Sequence, residues 1–143
     1  MPSRSRKELA AALRKGDFDR AYYFHGPEDV LKEEALRYLL ERTVDPGTRD
    51  FNLDVRSAGQ LDPESVEALC NTLPMMAERR VVVIRDVEQW KRKTKARAAF
   101  LRYLEHPSPE TIVVLVQGAG EEKEDKEGGK PEDPGNGKAK GKD

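Results

Sequence analysis

Two stretches limit what this chain can fold into more than any other part of it. Arg80 to Arg85 reads RVVVIR and Thr111 to Val116 reads TIVVLV. A strand with one face in water alternates apolar and polar residues, because successive side chains point to opposite faces. Neither run alternates, and their β-branched residues are stiff at χ1 and favour extended backbone. Both are therefore predicted to be central strands covered on both faces, the usual situation of a parallel sheet in an α/β protein.

The remaining segments supply neighbours for these two strands. Ala21 to Phe24 (AYYF) is a compact apolar run bounded by Asp19 and by Gly26-Pro27, which predicts another buried strand. Phe51-Asn52-Leu53-Asp54-Val55-Arg56 alternates strictly, so an edge strand with one polar face is expected there. Helical spacing fills the intervals. Leu9, Ala12 and Leu13 share a face between Lys7 and Lys15, with Gly16 as the C-terminal cap. Val30, Leu31, Ala35, Leu36, Leu39 and Leu40 recur at threes and fours before Asp45-Pro46-Gly47.

Asp62-Pro63-Glu64 combines an N-cap, a first-turn proline and a first-turn acid, followed by Val66, Leu69 and Cys70 on one face to about Thr72. Thr94 is expected to cap a last helix with Ala98, Leu101 and Tyr103 or Leu104 inward, stopped at His106-Pro107. A leading helix followed by β-α-β-α-β-α-β implies right-handed crossovers and a three-layer α/β domain with a mainly parallel four-stranded sheet.

Apolar residues make up only 36% of the 143, but they are concentrated before residue 121. Residues 121–143 (EEKEDKEGGKPEDPGNGKAKGKD) contain no large apolar side chain. Such a segment cannot offset its ordering entropy by burial, so a folded domain over 1–120 and a disordered, charged, glycine-rich tail over 121–143 are expected. The 26 basic and 27 acidic residues give a net charge of -1. No global field selects nucleic acid or an anionic membrane, and any such contact must be local. Cys70 has no cysteine to pair with, and His25 and His106 form no metal-ligand spacing with it. No apolar run approaches the roughly 18 residues a membrane span needs. A soluble, cytoplasmic chain with no cofactor and no structural metal is the expectation.

Chemistry in open α/β sheets sits beyond the C-terminal ends of the strands. The turn after the first strand reads His25-Gly26-Pro27-Glu28-Asp29-Val30-Leu31-Lys32. A phosphate cradle needs glycines whose N–H groups converge, then Lys and Ser/Thr. Here Glu28 and Asp29 put negative charge where phosphates would lie. Asp86, directly after RVVVIR, and Glu88 resemble the carboxylates that hold magnesium in nucleotide hydrolases, but without the phosphate loop they have no substrate. Their plain reading is a turn-capping Asp86 and a solvated Glu88. His25 stands where a general base could, yet no nucleophile or orienting partner accompanies it, which favours a structural histidine.

Two other features remain. Lys91, Arg92, Lys93, Lys95 and Arg97 place five cations within seven residues, enough for sequence-independent contacts to DNA phosphates, or equally a solvated loop and helix start. Leu73-Pro74-Met75-Met76 puts three large apolar residues in a connection, and connections normally run over the surface. Flexible thioethers suit a surface that fits a partner's hydrophobic pocket, while folding beneath the sheet end is the competing reading.

Taken in order, AYYFHGPEDVLKEEAL, RDFNLDV, NTLPMMAERRVVVIRDVEQW and FLRYLEHPSPETIVVLV resemble the N-terminal domain of the delta subunit of the bacterial DNA polymerase III clamp loader. The resemblance covers roughly residues 7 to 117, and its most specific segment is Leu-Pro-x-x-x-x-Arg-Arg-Val-Val-Val. It implies an AAA+ module, the P-loop NTPase type of fold, that lacks a functional phosphate loop. It also implies a non-catalytic subunit that binds and opens the sliding clamp during DNA replication. The apolar side chains that enter the clamp's hydrophobic pocket would be Leu73, Met75 and Met76. Met76 departs from the phenylalanine usual at its position. Family members continue into a helical domain and a collar that joins the other loader subunits. The expected partner is therefore the clamp, with DNA contact through Lys91 to Arg97 as a second possibility and a degenerate nucleotide enzyme as the alternative.

Overall fold

The structure is a computed structural model that describes residues 5–118. The tail over 121–143 and the end of the expected domain lie outside the described residues. The elements are α1 (Arg6–Arg14), β1 (Ala21–Phe24), α2 (Asp29–Thr43), α3 (Arg49–Asn52), β2 (Leu53–Ser57), α4 (Pro63–Asn71), β3 (Arg80–Arg85), α5 (Thr94–Glu105) and β4 (Thr111–Val116). Short 3-10 turns at Pro46–Thr48, Ala58–Gln60 and Val87–Lys91 join them.

The strands form one sheet in the order β1-β4-β3-β2, and every pairing is parallel. The two uninterrupted β-branched runs occupy its centre, with Val82 opposite Val113 and Val83 opposite Val114. Alternate residues of the same strands feed two separate cores. Val82, Ile84 and Val113 pack with Val66, Leu69 and Cys70 of α4 and with Ala96, Ala99, Phe100 and Tyr103 of α5. Val81, Val83, Ile112, Val114 and Val116 face the other way, against Leu13 of α1 and Leu36 and Leu39 of α2. This is the three-layer α/β arrangement. Each fully buried Val or Ile contributes about 1.5 to 3 kcal/mol through removal from water, so β3 is a main source of stability.

Local signals set most element ends. Ser5 and Glu8 form a reciprocal capping box at the start of α1, and Gly16 follows its end with φ +79°. Asp62 caps α4 by accepting the N–H of Ser65 at 2.8 Å, with Pro63 in the first turn. Trp90 donates its indole N–H to the carbonyl of Ala58 at 3.0 Å, tying the turn after β3 to the turn after β2.

Four expectations are corrected. Phe51 and Asn52 are not strand residues: they close the short α3, with Phe51 exposed and Asn52 buried. β2 begins only at Leu53, and as an edge strand it leaves Val55 exposed. In α2, Val30 lies in the first turn and is exposed, and the buried apolar residues of the helix are Leu36 and Leu39. In α5 the buried stripe is Ala96, Ala99, Phe100 and Tyr103, so Leu101 faces outward and Ala98 is only half-buried. The stripe follows Phe100, whose ring packs 5.5 Å from that of Trp90. Thr94 is the first helical residue, and Lys93 holds the cap position without a side-chain cap bond.

Candidate functional site

Because all strands run parallel, their C-terminal ends share one edge of the sheet and their N-terminal ends the other. The two groups of candidate residues divide between these edges.

At the C-terminal edge the turn after β1 is closed by the chain itself. Gly26, at φ +121°, donates its N–H to the side-chain oxygen of Gln117 at 2.9 Å. Lys32 is buried and donates to the main-chain carbonyl of Gln117 at 2.9 Å, with Asp29 at 3.2 Å as its counter-ion. The groups a phosphate would require, a free backbone N–H and an ammonium, are thus engaged in joining α2 to the end of β4. Glu88 is not solvated as expected: it is half-buried and accepts the N–H of Gly118 at 2.9 Å. Asp86 adopts a left-handed conformation at φ 58° without a side-chain cap bond. A side chain at Gly118 would come within 2.2 Å of the Asp86 carboxylate and 2.8 Å of that of Glu88. The two carboxylates close around a glycine rather than around open space. His25 is exposed, its ring 4.9 Å from that of Tyr23. Lys91, Arg92, Lys93, Lys95 and Arg97 are all exposed on the same edge, in the turn after β3 and the first turn of α5. Among the described residues no group of three or more His, Cys, Asp or Glu could hold a metal ion, and no helix is long and apolar enough to cross a membrane.

At the N-terminal edge lies the connection from α4 to β3. Its apolar residues are outside the core: Leu73 is 68% exposed, Met75 53% and Met76 78%. Met76 adopts φ 59°, a left-handed conformation that disfavours residues with a Cβ. The loop is nonetheless fixed. The buried Asn52 donates its amide N–H to the carbonyl of Met75 and accepts the N–H of Met75, both at 2.7 Å, and it also donates to the carbonyl of Thr48 at 3.3 Å. This brings α3, with exposed Phe51 at its end, against the loop.

Buried Arg80 reinforces the same corner. Its guanidinium pairs with Asp54 and also donates to the Phe51 carbonyl at 3.4 Å. Arg79 lies over the ring of Phe18, 4.7 Å from its centroid. A cleft of about 330 Å³ runs beside it, lined by Arg42, Val44, Asp45, Ala77, Glu78 and Arg79 among others. Cys70, in the last turn of α4, is buried, and burial pushes its thiol up to about 12 against the opposing pull of the Arg80 charge. It is an inert core thiol.

Leu73, Met75 and Met76 lie on the surface, as their place in a connection suggested, whereas Asn52 and Phe51 fit an alternating pattern that disguised them as strand residues. No local signal distinguishes an asparagine that holds a distant loop, 23 residues away, from one that faces water.

The sequence matches the family model for the DNA polymerase III delta subunit over residues 22–129. A curated relative, the DNA polymerase III subunit delta of Bacillus subtilis (strain 168), is 31% identical over an aligned length of 111 residues, in an alignment that covers 73% of this chain and 32% of that protein. Among solved structures, the Bacillus subtilis DNA clamp loader delta protein superposes with a TM-score of 0.71 at 29% identity, over 78% of this chain and 34% of that one. A DNA polymerase III gamma subunit-related protein from Thermotoga maritima superposes with a TM-score of 0.58 at 19% identity, over 79% of this chain and 40% of that one, and shares the fold. The chain spans about a third of the length of the delta proteins it matches. With the central motifs, the sheet order and the family match all falling on the same stretch, the chain belongs to the DNA polymerase III delta-subunit family.

Proposed function

We propose that this domain is the clamp-binding module of a DNA polymerase III clamp-loader subunit, and that it engages the sliding clamp through Leu73, Met75 and Met76 without catalysing a reaction itself. The observation that carries this reading is the exposure of three large apolar side chains on a loop whose backbone is held rigidly in place. Monomeric domains seldom leave such residues in water together, and a patch of this kind marks a protein interface. Methionine suits the role because its unbranched thioether adapts to a pocket's shape. A held loop also loses little conformational freedom on binding, which leaves more of the burial energy for affinity.

The five exposed cations at the opposite sheet edge are separated from this loop by the length of β3, roughly 20 Å at about 3.3 Å per residue. Clamp engagement at one edge therefore leaves Lys91, Arg92, Lys93, Lys95 and Arg97 uncovered. Assembly with other loader subunits would use the parts of the delta proteins beyond the third that this chain spans.

Titration against a bacterial sliding clamp tests the reading. Binding on the order of micromolar is expected. Met75→Ala with Met76→Ala should weaken it at least 100-fold, since each buried methionine is worth about 1.5 to 3 kcal/mol and about 1.4 kcal/mol is a factor of ten. The urea midpoint of the same variant should move little, because exposed substitutions usually change stability by within about 0.5 kcal/mol. Loss of stability with unchanged affinity would overturn the anchor assignment.

A further inference from the structure

We infer that Asn52 is a positioning residue for the clamp-facing loop, an inference that rests on the reading above and extends it to a side chain that does not itself contact the clamp. Asn52 is buried, with 2% of its surface exposed, so its carboxamide is not available to a partner. It is paired instead with both backbone groups of a single residue, Met75, at 2.7 Å each. A carboxamide offers a donor and an acceptor side by side, and here it reproduces what a neighbouring β-strand would offer to Met75.

The geometry matters because the loop has little else to fix it. Leu73, Met75 and Met76 are exposed, so their side chains make no core contacts strong enough to determine where the backbone runs. Met76 is moreover in the left-handed region, which an unconstrained chain visits rarely unless the residue is glycine. Two short hydrogen bonds to the residue immediately before it hold the backbone through this turn. Asn52 is itself anchored at the end of α3, where Arg80 grips the adjacent Phe51 carbonyl and Asp54. The chain of contacts thus runs from the buried Arg80 through α3 and Asn52 to Met75, and it ends on the exposed apolar groups.

A residue that pre-organises a loop acts on affinity by reducing the ordering cost at the moment of binding. Removing it should therefore weaken clamp binding only while the loop's anchors are present. The test is a double-mutant cycle on the full chain, with clamp titration and urea unfolding measured for each variant. Asn52→Ala should weaken binding about tenfold in the otherwise unchanged chain. In the Met75→Ala, Met76→Ala background the same change should weaken binding less than twofold. Amide exchange of the free chain should become faster at Met75, while Val82 and Val83 in β3 keep their protection.

Asn52→Asp provides a second variant of the same shape. It keeps an oxygen toward the Met75 N–H but sets a second oxygen against the Met75 carbonyl, so it should also bind more weakly than the unchanged chain. If Asn52→Ala fails to fold, the Asp variant carries the cycle. Equal loss of binding in both backgrounds, or unchanged affinity with only a lower urea midpoint, overturns the positioning role and leaves the clamp reading standing. Absence of clamp binding by the unchanged chain overturns both.

Discussion

Arg85, at the end of β3, grips Glu33 of α2 with two parallel hydrogen bonds of 2.7 and 3.0 Å. The guanidinium holds the Glu33 carboxyl below its usual range, chiefly through these hydrogen bonds, and the pairing raises Arg85 in return. A carboxyl lowered in the folded state binds its proton more weakly there than in the unfolded chain. Its contribution to stability is therefore present above the unfolded value of about 4.3 and is lost as pH falls through the folded value. Both side chains keep contact with water, so the effect is at most about 1 kcal/mol. Urea unfolding between pH 7 and pH 3 should show a shallower acid loss for Glu33→Gln than for the unchanged chain, and identical slopes would show that the pair contributes nothing.

At the alkaline end the signs reverse. Burial raises both the Cys70 thiol and the Tyr103 phenol, which also accepts the N–H of Ser108 at 3.1 Å. Groups raised in the folded state stabilise it fully below their unfolded values, about 8.5 for a thiol and 10 for a phenol, and less as pH climbs past them. Stability should fall from about pH 9 upward, and Cys70→Ala should flatten the first part of that fall. At neutral pH Cys70 should resist a thiol reagent in the folded chain and react at once in denaturant. Rapid labelling of the folded chain would contradict its placement in the core.

Replacing Val83 by Asp puts a carboxylate into the central strand, where its strand neighbours are Val55 and Val114 and the cluster it belongs to is apolar. Burying an unpaired charge costs several kcal/mol against a total stability of roughly 5 to 15. The variant should be recovered unfolded or insoluble. A soluble chain with a cooperative transition would contradict the position assigned to β3.

Lys32 offers a way to separate a structural lysine from a nucleotide ligand. Lys32→Ala should lower stability by about 1 to 3 kcal/mol, because it leaves the Gln117 carbonyl and Asp29 without their donor. Magnesium-ATP should not raise the melting temperature of the unchanged chain, since Gly26 and Lys32 are already engaged with Gln117. A ligand present well above its dissociation constant must stabilise what it binds, so a clear upward shift would favour the nucleotide-enzyme alternative.

The centre of the fold was legible because its signals are strong and local. Four consecutive β-branched residues at Val81 to Ile84 have few alternatives to a doubly covered strand, and Asp62-Pro63 announces a helix start through its own hydrogen-bonding chemistry. The edges were harder to read. Phe51 and Asn52 fit an alternating pattern as well as Leu53 and Val55 do, and only contacts with a loop 23 residues away decide that they close a helix. In α5 several apolar residues compete for one face, and the large ring of Phe100 selects the stripe at the expense of Leu101. The apolar loop was visible because its composition is wrong for a connection, whereas Glu88 reads from sequence like any surface acid until the N–H of Gly118 is brought to it.

The sheet order β1-β4-β3-β2 has a kinetic consequence. β1 has a single strand neighbour, β4, and Ala21 meets Val113 across 92 positions of sequence. Until the last strand emerges, the first cannot join β2 and β3, and the apolar stripe of α2 has half of its sheet missing. Contacts so distant in sequence make for slow closure, because the chain must surrender a long loop's freedom before the pairing rewards it. The segment from α4 through α5 can gather around β2 and β3 first, held by Trp90 and Ala58, while the opening helices wait. Free chains truncated before Thr111 should thus show protection from proteolysis around β3 while remaining open to cleavage near β1, and the region near β1 should close only when Thr111 to Val116 is present.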